Sequence, residues 1–198
     1  MKKTDLVKLA IGGTAAYELL NVMKGGSKTV LRPPGAIDED EFLALCLRCG
    51  KCVQACPYDS IKIGTEKHGL GIGTPYIEPR EDPCMLCHDF PCIQACPSGA
   101  LRDISDVSDV EMGTAVIDED TCIAYKGMRC EVCYRVCPLI DEAITLDIHM
   151  KPDDDIHAIF APVINKEKCV GCGLCVQRCV VDTTPAIKIK PRVLKDLF

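Results

Sequence analysis

The sequence predicts a small α+β fold made of four βαβ-like cysteine units, in which short strands and short helices surround clusters of thiols. Three observations predict it. Sixteen cysteines stand among 198 residues and fall into four groups of four. The groups begin at Cys46, Cys84, Cys122 and Cys169, so the pattern recurs at intervals of roughly forty residues, the mark of an internal repeat. The chain has no Trp and 5% aromatic residues, and its 47% hydrophobic fraction counts the cysteines, so large side chains are too few to fill an ordinary core. Its length allows one compact domain or two small ones. A net charge of −6 argues against nucleic-acid binding, which needs cations to displace counterions from phosphates.

Taken in order, residues 1–28 form a separate N-terminal segment. Leu6 to Met23 is moderately apolar but broken by Lys8 and Glu18, so it reads equally as a signal, an anchor or an amphipathic docking helix with Leu6, Leu9, Ala10, Gly13 and Leu20 on one face. In the first unit a short helix over Lys51 to Ala55 follows the cysteine loop, and Ser60-Ile61-Lys62-Ile63 alternates as a half-buried strand does. Gly69-x-Gly71-x-Gly73 reads as a surface loop, because Pro75 and Pro79 forbid the helix that a dinucleotide loop requires. In the second unit Gly99-Ala100-Leu101-Arg102 is a weaker strand. The third has a strand at Thr114 to Ile117, a turn at Asp118-Glu119-Asp120 and a strand at Ala143 to Leu146. The fourth has strands at Pro162 to Ile164 and at Ala186 to Ile189. Residues 192–198 are a tail. From Asp103 to Tyr125 there are acidic residues and no basic one, which reads as a solvated loop.

The cysteine spacing carries the chemistry. The runs are Cys46, Cys49, Cys52, Cys56; Cys84, Cys87, Cys92, Cys96; Cys122, Cys130, Cys133, Cys137; and Cys169, Cys172, Cys175, Cys179. The first and fourth read C-x2-C-x2-C-x3-C, the bacterial ferredoxin run, in which three thiolates hold one cluster and the last serves its neighbour. The other two runs widen one gap. Such close cysteines cannot all reach distant disulfide partners, and triplets are not the habit of zinc. Sixteen thiols match the ligands of four [4Fe–4S] clusters, and the fold expected is therefore tandem bacterial-type 2[4Fe–4S] ferredoxin modules. The four histidines show no ligand spacing.

Sequence leaves two pairings open, sequential or nested. The two compact runs are outermost and the two expanded runs innermost, which favours nesting. Residues 29–191 would then hold an outer module (29–65 with 160–191) and an inner one (66–159). The expected ligand sets are Cys46, Cys49, Cys52 with Cys179; Cys169, Cys172, Cys175 with Cys56; Cys84, Cys87, Cys92 with Cys137; and Cys122, Cys130, Cys133 with Cys96.

Motifs beyond the cysteines carry a family resemblance over about residues 30 to 191. They are Leu31-Arg32-Pro33-Pro34-Gly35-Ala36, the stretch from Cys49 to Asp59, Gly73-Thr74-Pro75-Tyr76, Ala95 to Leu101, Arg129 to Pro138, Asp141 to Leu146 and Cys169-Val170-Gly171-Cys172-Gly173. With these the chain resembles the NapG/MauM group of polyferredoxins. The resemblance implies a four-cluster electron carrier of periplasmic nitrate reductase or methylamine utilisation systems. It also implies a membrane iron–sulfur quinol dehydrogenase (NapH type) as donor and a downstream reductase or c-type cytochrome as acceptor. It places the protein on the periplasmic side of the inner membrane. The alternative is the cytoplasm, because the sequence shows no twin-arginine signal and its first arginine is Arg32.

Nothing in the sequence pairs a nucleophile with a base or cradles a phosphate, so the chain reads as a carrier or electron-transfer subunit without a catalytic residue of its own. Two further readings stay open. It could be the electron-transfer subunit of another oxidoreductase, such as a tungsten- or molybdenum-dependent dehydrogenase, or a zinc-bound structural scaffold. Arg48, Lys51, Met85, His88, Arg129 and Arg135 are candidates for tuning cluster potentials, although solvated loop charges have little effect individually.

Overall fold

The computed structural model describes residues 30–151 and 156–192. The expected N-terminal segment and nearly all of the tail lie outside them. Among the described residues no helix is long and apolar enough to cross a membrane.

The fold is a small mixture of short helices and strands. In the first half, helix α1 (Glu39–Leu45) and helix α2 (Lys51–Ala55) precede strand β1 (Ile61–Ile63). Strand β2 (Pro75–Ile77) and helix α3 (Pro91–Gln94) follow. In the second half come β3 (Gly113–Ile117), α4 (Val132–Arg135), β4 (Ile144–Met150), β5 (Ala158–Ile164), α5 (Leu174–Gln177) and β6 (Ile187–Pro191). Helices α2 to α5 are too short to persist on propensity alone. The strand expected at residues 99–102 is reduced to one bridge, Leu101 to Ala36. Helix α1 has no counterpart in the expected elements. The Asp38 carboxylate accepts from the Asp40 amide, and Glu39, Asp40 and Glu41 in the first turn suit the positive end of the helix dipole.

Strand pairing follows a sequential rather than a nested order. Three antiparallel pairs form, β1 with β2, β4 with β5 and β3 with β6. In the second half the strand before its first run pairs with the strand after its second, Ala115 opposite Ile189, while Ile144 lies opposite Ile164. The first half repeats this with Ile61 opposite Ile77 and the Ala36–Leu101 bridge. Nesting would have required β5 to pair with the strand after the first run and β6 with the segment before it. The physical reason is connection length: β1–β2 and β4–β5 close through short loops, which costs less chain entropy than reaching across the sequence.

The core runs from Leu31, Phe42, Ile61 and Ile77 through Phe90, Ile93 and Leu101 to Val110, Met112 and Val170. Buried Arg32 lies within it, with its guanidinium 4.7 Å from the centre of the Phe42 ring. The halves meet where the Cys84 amide donates to the Cys172 carbonyl (3.0 Å), while the Met112 amide donates to the Val170 carbonyl (3.2 Å) within the second half.

Candidate metal centres

Three of the four cysteine loops are bent by left-handed backbone at the same place. The residue before the second cysteine has φ 53° at Arg48, 51° at Leu86 and 74° at Gly171. Two of these are not glycine, so the loops hold local strain where they wrap. At Gly171 a side chain is also excluded, because a Cβ would meet the Gly113 amide at 2.5 Å. Helix α2 then begins at Gly50 and α5 at Gly173, both left-handed.

The loops bring the thiols together. Cys84, Cys87 and Cys92 line one cavity with Cys56. Cys122, Cys130 and Cys133 line another with Cys179. Cys169, Cys172 and Cys175 line a third with Cys137, and Cys133 contributes to its wall. The Cys52 thiol lies in the electrostatic field of Cys46 and Cys96. The fourth thiol of each set therefore differs from the nested expectation. Cys56 lines a cavity with the second run rather than the fourth, Cys137 with the fourth rather than the second, Cys179 with the third rather than the first, and Cys96 lies near Cys52 of the first run rather than near the third. The cause is the strand pairing, which stacks α2 on α3 and α4 on α5.

The walls around these thiols are apolar, with Pro34, Ile61, Ile77 and Phe90 at one cavity and Leu139, Ile144, Ile164 and Leu174 at another. Burial pushes Cys84, Cys92 and Cys133 up to about 12, and Cys52 and Cys172 up to about 11. Burial also raises Cys87, Cys137 and Cys175. Cys96 goes the other way: burial acts to raise it, but the Ser98 hydroxyl and the amides of Ser98, Leu101 and Ala100 outweigh that and hold it below the usual thiol value. The Ala115 amide donates to the Cys169 sulfur at 3.3 Å. Buried thiols grouped in fours cannot all ionise without cationic charge among them. Among the described residues, no three His, Cys, Asp or Glu side chains are gathered as a single metal ion would gather them. Apolar walls, thiols in fours and amides aimed at sulfur are the setting an iron–sulfide cluster requires.

The candidate tuning residues are peripheral. Arg48 donates to the Ile72 carbonyl (2.9 Å), and Lys51, Met85 and His88 are exposed. Arg129 and Arg135 both pair with Glu131, which offsets their charge. Much of the acidic stretch serves local turns: Asp106 accepts from the Ser108 amide and Asp118 from the Asp120 amide. Gly71 is buried against Arg32 rather than lying on the surface. Lys190 and Arg192 line an open cleft of about 310 Å³ with Lys166, Lys168 and Cys169. Arg32 stands in the Leu31–Ala36 motif, but the Arg32 network and the Cys84–Cys172 contact depend on long-range packing that no local pattern announces.

Residues 45–100 and 126–183 each match the 4Fe-4S dicluster domain; the first match spans the first two runs, and the second takes in Cys130, Cys133 and Cys137 of the third run and the whole of the fourth. Over 192 residues the chain is 46% identical to the ferredoxin-type protein NapG of Escherichia coli (strain K12), covering 94% of this chain and 83% of that protein. It is also 46% identical over 186 residues to the methylamine utilization ferredoxin-type protein MauM of Methylorubrum extorquens, covering 93% of this chain and 83% of that one. The chain belongs to the NapG/MauM family of ferredoxin-type proteins. A more distant ferredoxin-type protein, NapF of Escherichia coli (strain K12), is 29% identical over 157 residues. As a member of the NapG/MauM family, the protein is an iron–sulfur electron-transfer protein, and the dicluster matches leave the zinc scaffold without support.

Proposed function

We propose that this NapG/MauM-type chain holds four [4Fe–4S] clusters in two sequential modules and relays single electrons from a membrane quinol dehydrogenase toward a terminal reductase or c-type cytochrome. The observation that carries the reading is the grouping of thiols. Three apolar cavities each gather three thiols of one run and the last thiol of its neighbour, and Cys52 lies near Cys46 and Cys96. The first module spans about residues 30–105 and the second about 110–191. The ligand sets are Cys46, Cys49, Cys52, Cys96; Cys84, Cys87, Cys92, Cys56; Cys122, Cys130, Cys133, Cys179; and Cys169, Cys172, Cys175, Cys137. When bound, such clusters accept and pass one electron each.

The chain's own part is to hold, insulate and charge these centres. Apolar walls exclude water, and amides such as Ala115 and those around Cys96 donate to sulfur, which favours negative charge there. Catalysis is left to the partners. The family's names support redox partners in nitrate reduction or methylamine utilisation; the iron–sulfur quinol dehydrogenase as donor is what the resemblance implies. The site of action is the periplasmic face of the inner membrane.

Anaerobic capture of the intact chain from its native cells tests this reading. A co-purifying membrane quinol dehydrogenase that reduces the chain when given quinol is expected. Capture of a tungsten- or molybdenum-containing dehydrogenase, with no quinol-dependent reduction, would favour an intrinsic subunit of that enzyme instead.

A further inference from the structure

We propose that electrons cross between the two halves at the Cys84–Cys172 contact, so that the second-run and fourth-run clusters are the inner pair and the first-run and third-run clusters are the terminal stations. The order rests on the ligand sets proposed above and adds to them a sequence of steps along the molecule.

The thiol sites adjoin one another in a definite succession. Within the first half, α2 packs on α3, so the first-run and second-run sites adjoin there. Between the halves, the Cys84 amide donates to the Cys172 carbonyl at 3.0 Å. Both residues are buried at 8% exposure, and each lines its own thiol cavity. Within the second half, Cys133 lines both the third-run and the fourth-run cavity. The succession is first run, second run, fourth run, third run. Electron tunnelling weakens steeply with distance and favours bonded paths, and a backbone hydrogen bond between two ligand residues is such a path.

The joint is clamped by side chains of the segment before the second run. Arg80 Nη1 donates to the carbonyls of Val176 (2.9 Å), Gln177 (3.2 Å) and Cys179 (2.9 Å). These groups stand at the end of α5, where carbonyls lack helical partners and a cation is favoured. Gln177 answers by donating to the Glu81 carbonyl at 2.8 Å. Gly173 packs so closely on Pro79 that a Cβ would lie 2.7 Å from the proline Cβ. Arg80 is therefore a positioning residue for the step between halves.

The order leaves the first-run loop at one end. Cys49 is exposed there, beside Leu47 at 67% exposure. At the other end Met128, 54% exposed, stands beside the third run. These two loops are where donor and acceptor would meet the chain.

Pulsed electron–electron dipolar spectroscopy on the loaded full chain tests the order. One middle cysteine in each of two runs is replaced (Cys49→Asp, Cys87→Asp, Cys130→Asp or Cys172→Asp, taken in pairs), giving two three-iron centres. These carry spins in the oxidised protein while the intact clusters are silent. If one substitution strips its site of iron, replacing the last thiol of the same set, Cys56→Asp for the second run, gives the same probe. The expected result is that the second-run and fourth-run pair shows the shortest distance across the halves, and the first-run and third-run pair the longest. A shorter distance from the second run to the third, or from the first run to either, overturns the order. In Arg80→Ala the distance across the joint should broaden, while the distance between the first and second runs, the internal control for folding, stays fixed. An unchanged distribution overturns the clamp. Metal analysis of the unsubstituted chain separates failure of the underlying reading: zinc without sulfide would remove the clusters and the order together, whereas iron and sulfide with another set of distances overturns the order alone.

Discussion

Arg32 and Glu39 meet as a two-pronged ion pair, Nε to Oε2 at 2.8 Å and Nη2 to Oε1 at 2.5 Å. The remaining donor, Nη1, serves the Thr74 hydroxyl (2.8 Å) and the Pro75 carbonyl (2.7 Å). The pair thus ties the segment leading into the first run to the strand leading into the second. Arg32 is 7% exposed, so its charge depends on these partners.

Removing the carboxylate leaves the buried Arg32 charge with only the neutral Thr74 hydroxyl and Pro75 carbonyl as partners. Glu39→Gln in the cluster-loaded protein should cost about 3 kcal/mol of stability, and Arg32→Met a comparable amount. Arg32→Lys should recover little, because an ammonium cannot make the fork. Anaerobic denaturant unfolding, followed by the visible absorbance, measures all three.

Gly50 and Gly171 share a left-handed backbone at φ 71° and 74° but not their surroundings. Nothing lies within 4 Å of a Cβ on Gly50, so Gly50→Ala should cost only the conformational strain, about 1 kcal/mol. A Cβ on Gly171 would meet the Gly113 amide nitrogen at 2.5 Å and its carbonyl oxygen at 2.6 Å. Gly171→Ala should therefore open the β3 contact with the fourth loop and lower the iron content of that site. Parallel iron analyses and thermal melts of the two variants test the contrast.

Helices of four and five residues, such as α3 and α2, are below the length that is stable alone. Ligation must hold them, as it does in other small metal-dependent domains. Stripping iron with a chelator under reducing, anaerobic conditions should abolish most far-ultraviolet helical signal together with the charge-transfer absorbance. Retained helical signal in the stripped protein would show that the chain holds its fold without ligation.

Cys49 is exposed, whereas Cys52, Cys84, Cys92 and Cys172 are buried. Oxidants should therefore release iron at the first run before the others. Timed air exposure followed by alkylation and peptide mass spectrometry should show Cys46, Cys49 and Cys52 labelled ahead of Cys84, Cys87 and Cys92.

The cysteine runs and the strands flanking them were legible because their signals are local: spacing within a loop, alternation along Ile187 to Ile189, an acidic turn at Asp118 to Asp120. The partner of each fourth cysteine was not. Gap lengths in the runs pointed to nesting, but hairpin closure between adjacent units favours the sequential pairing, and that closure depends on the register of β1 on β2 and β4 on β5. Helix α1 was missed because its cap, Asp38, and its single buried residue, Phe42, leave almost no periodic pattern. Arg32 sat in a recognisable motif, yet its buried role rests on Thr74 and Pro75, more than forty positions away.

Counting clusters in double variants tests the sequential ligand sets most directly. Native mass spectrometry of the anaerobically purified chain should show four clusters. Cys56→Ala with Cys87→Ala strikes one set and should leave three; Cys56→Ala with Cys172→Ala strikes two and should leave two. The reverse result, two clusters in the first variant and three in the second, would contradict the sequential arrangement.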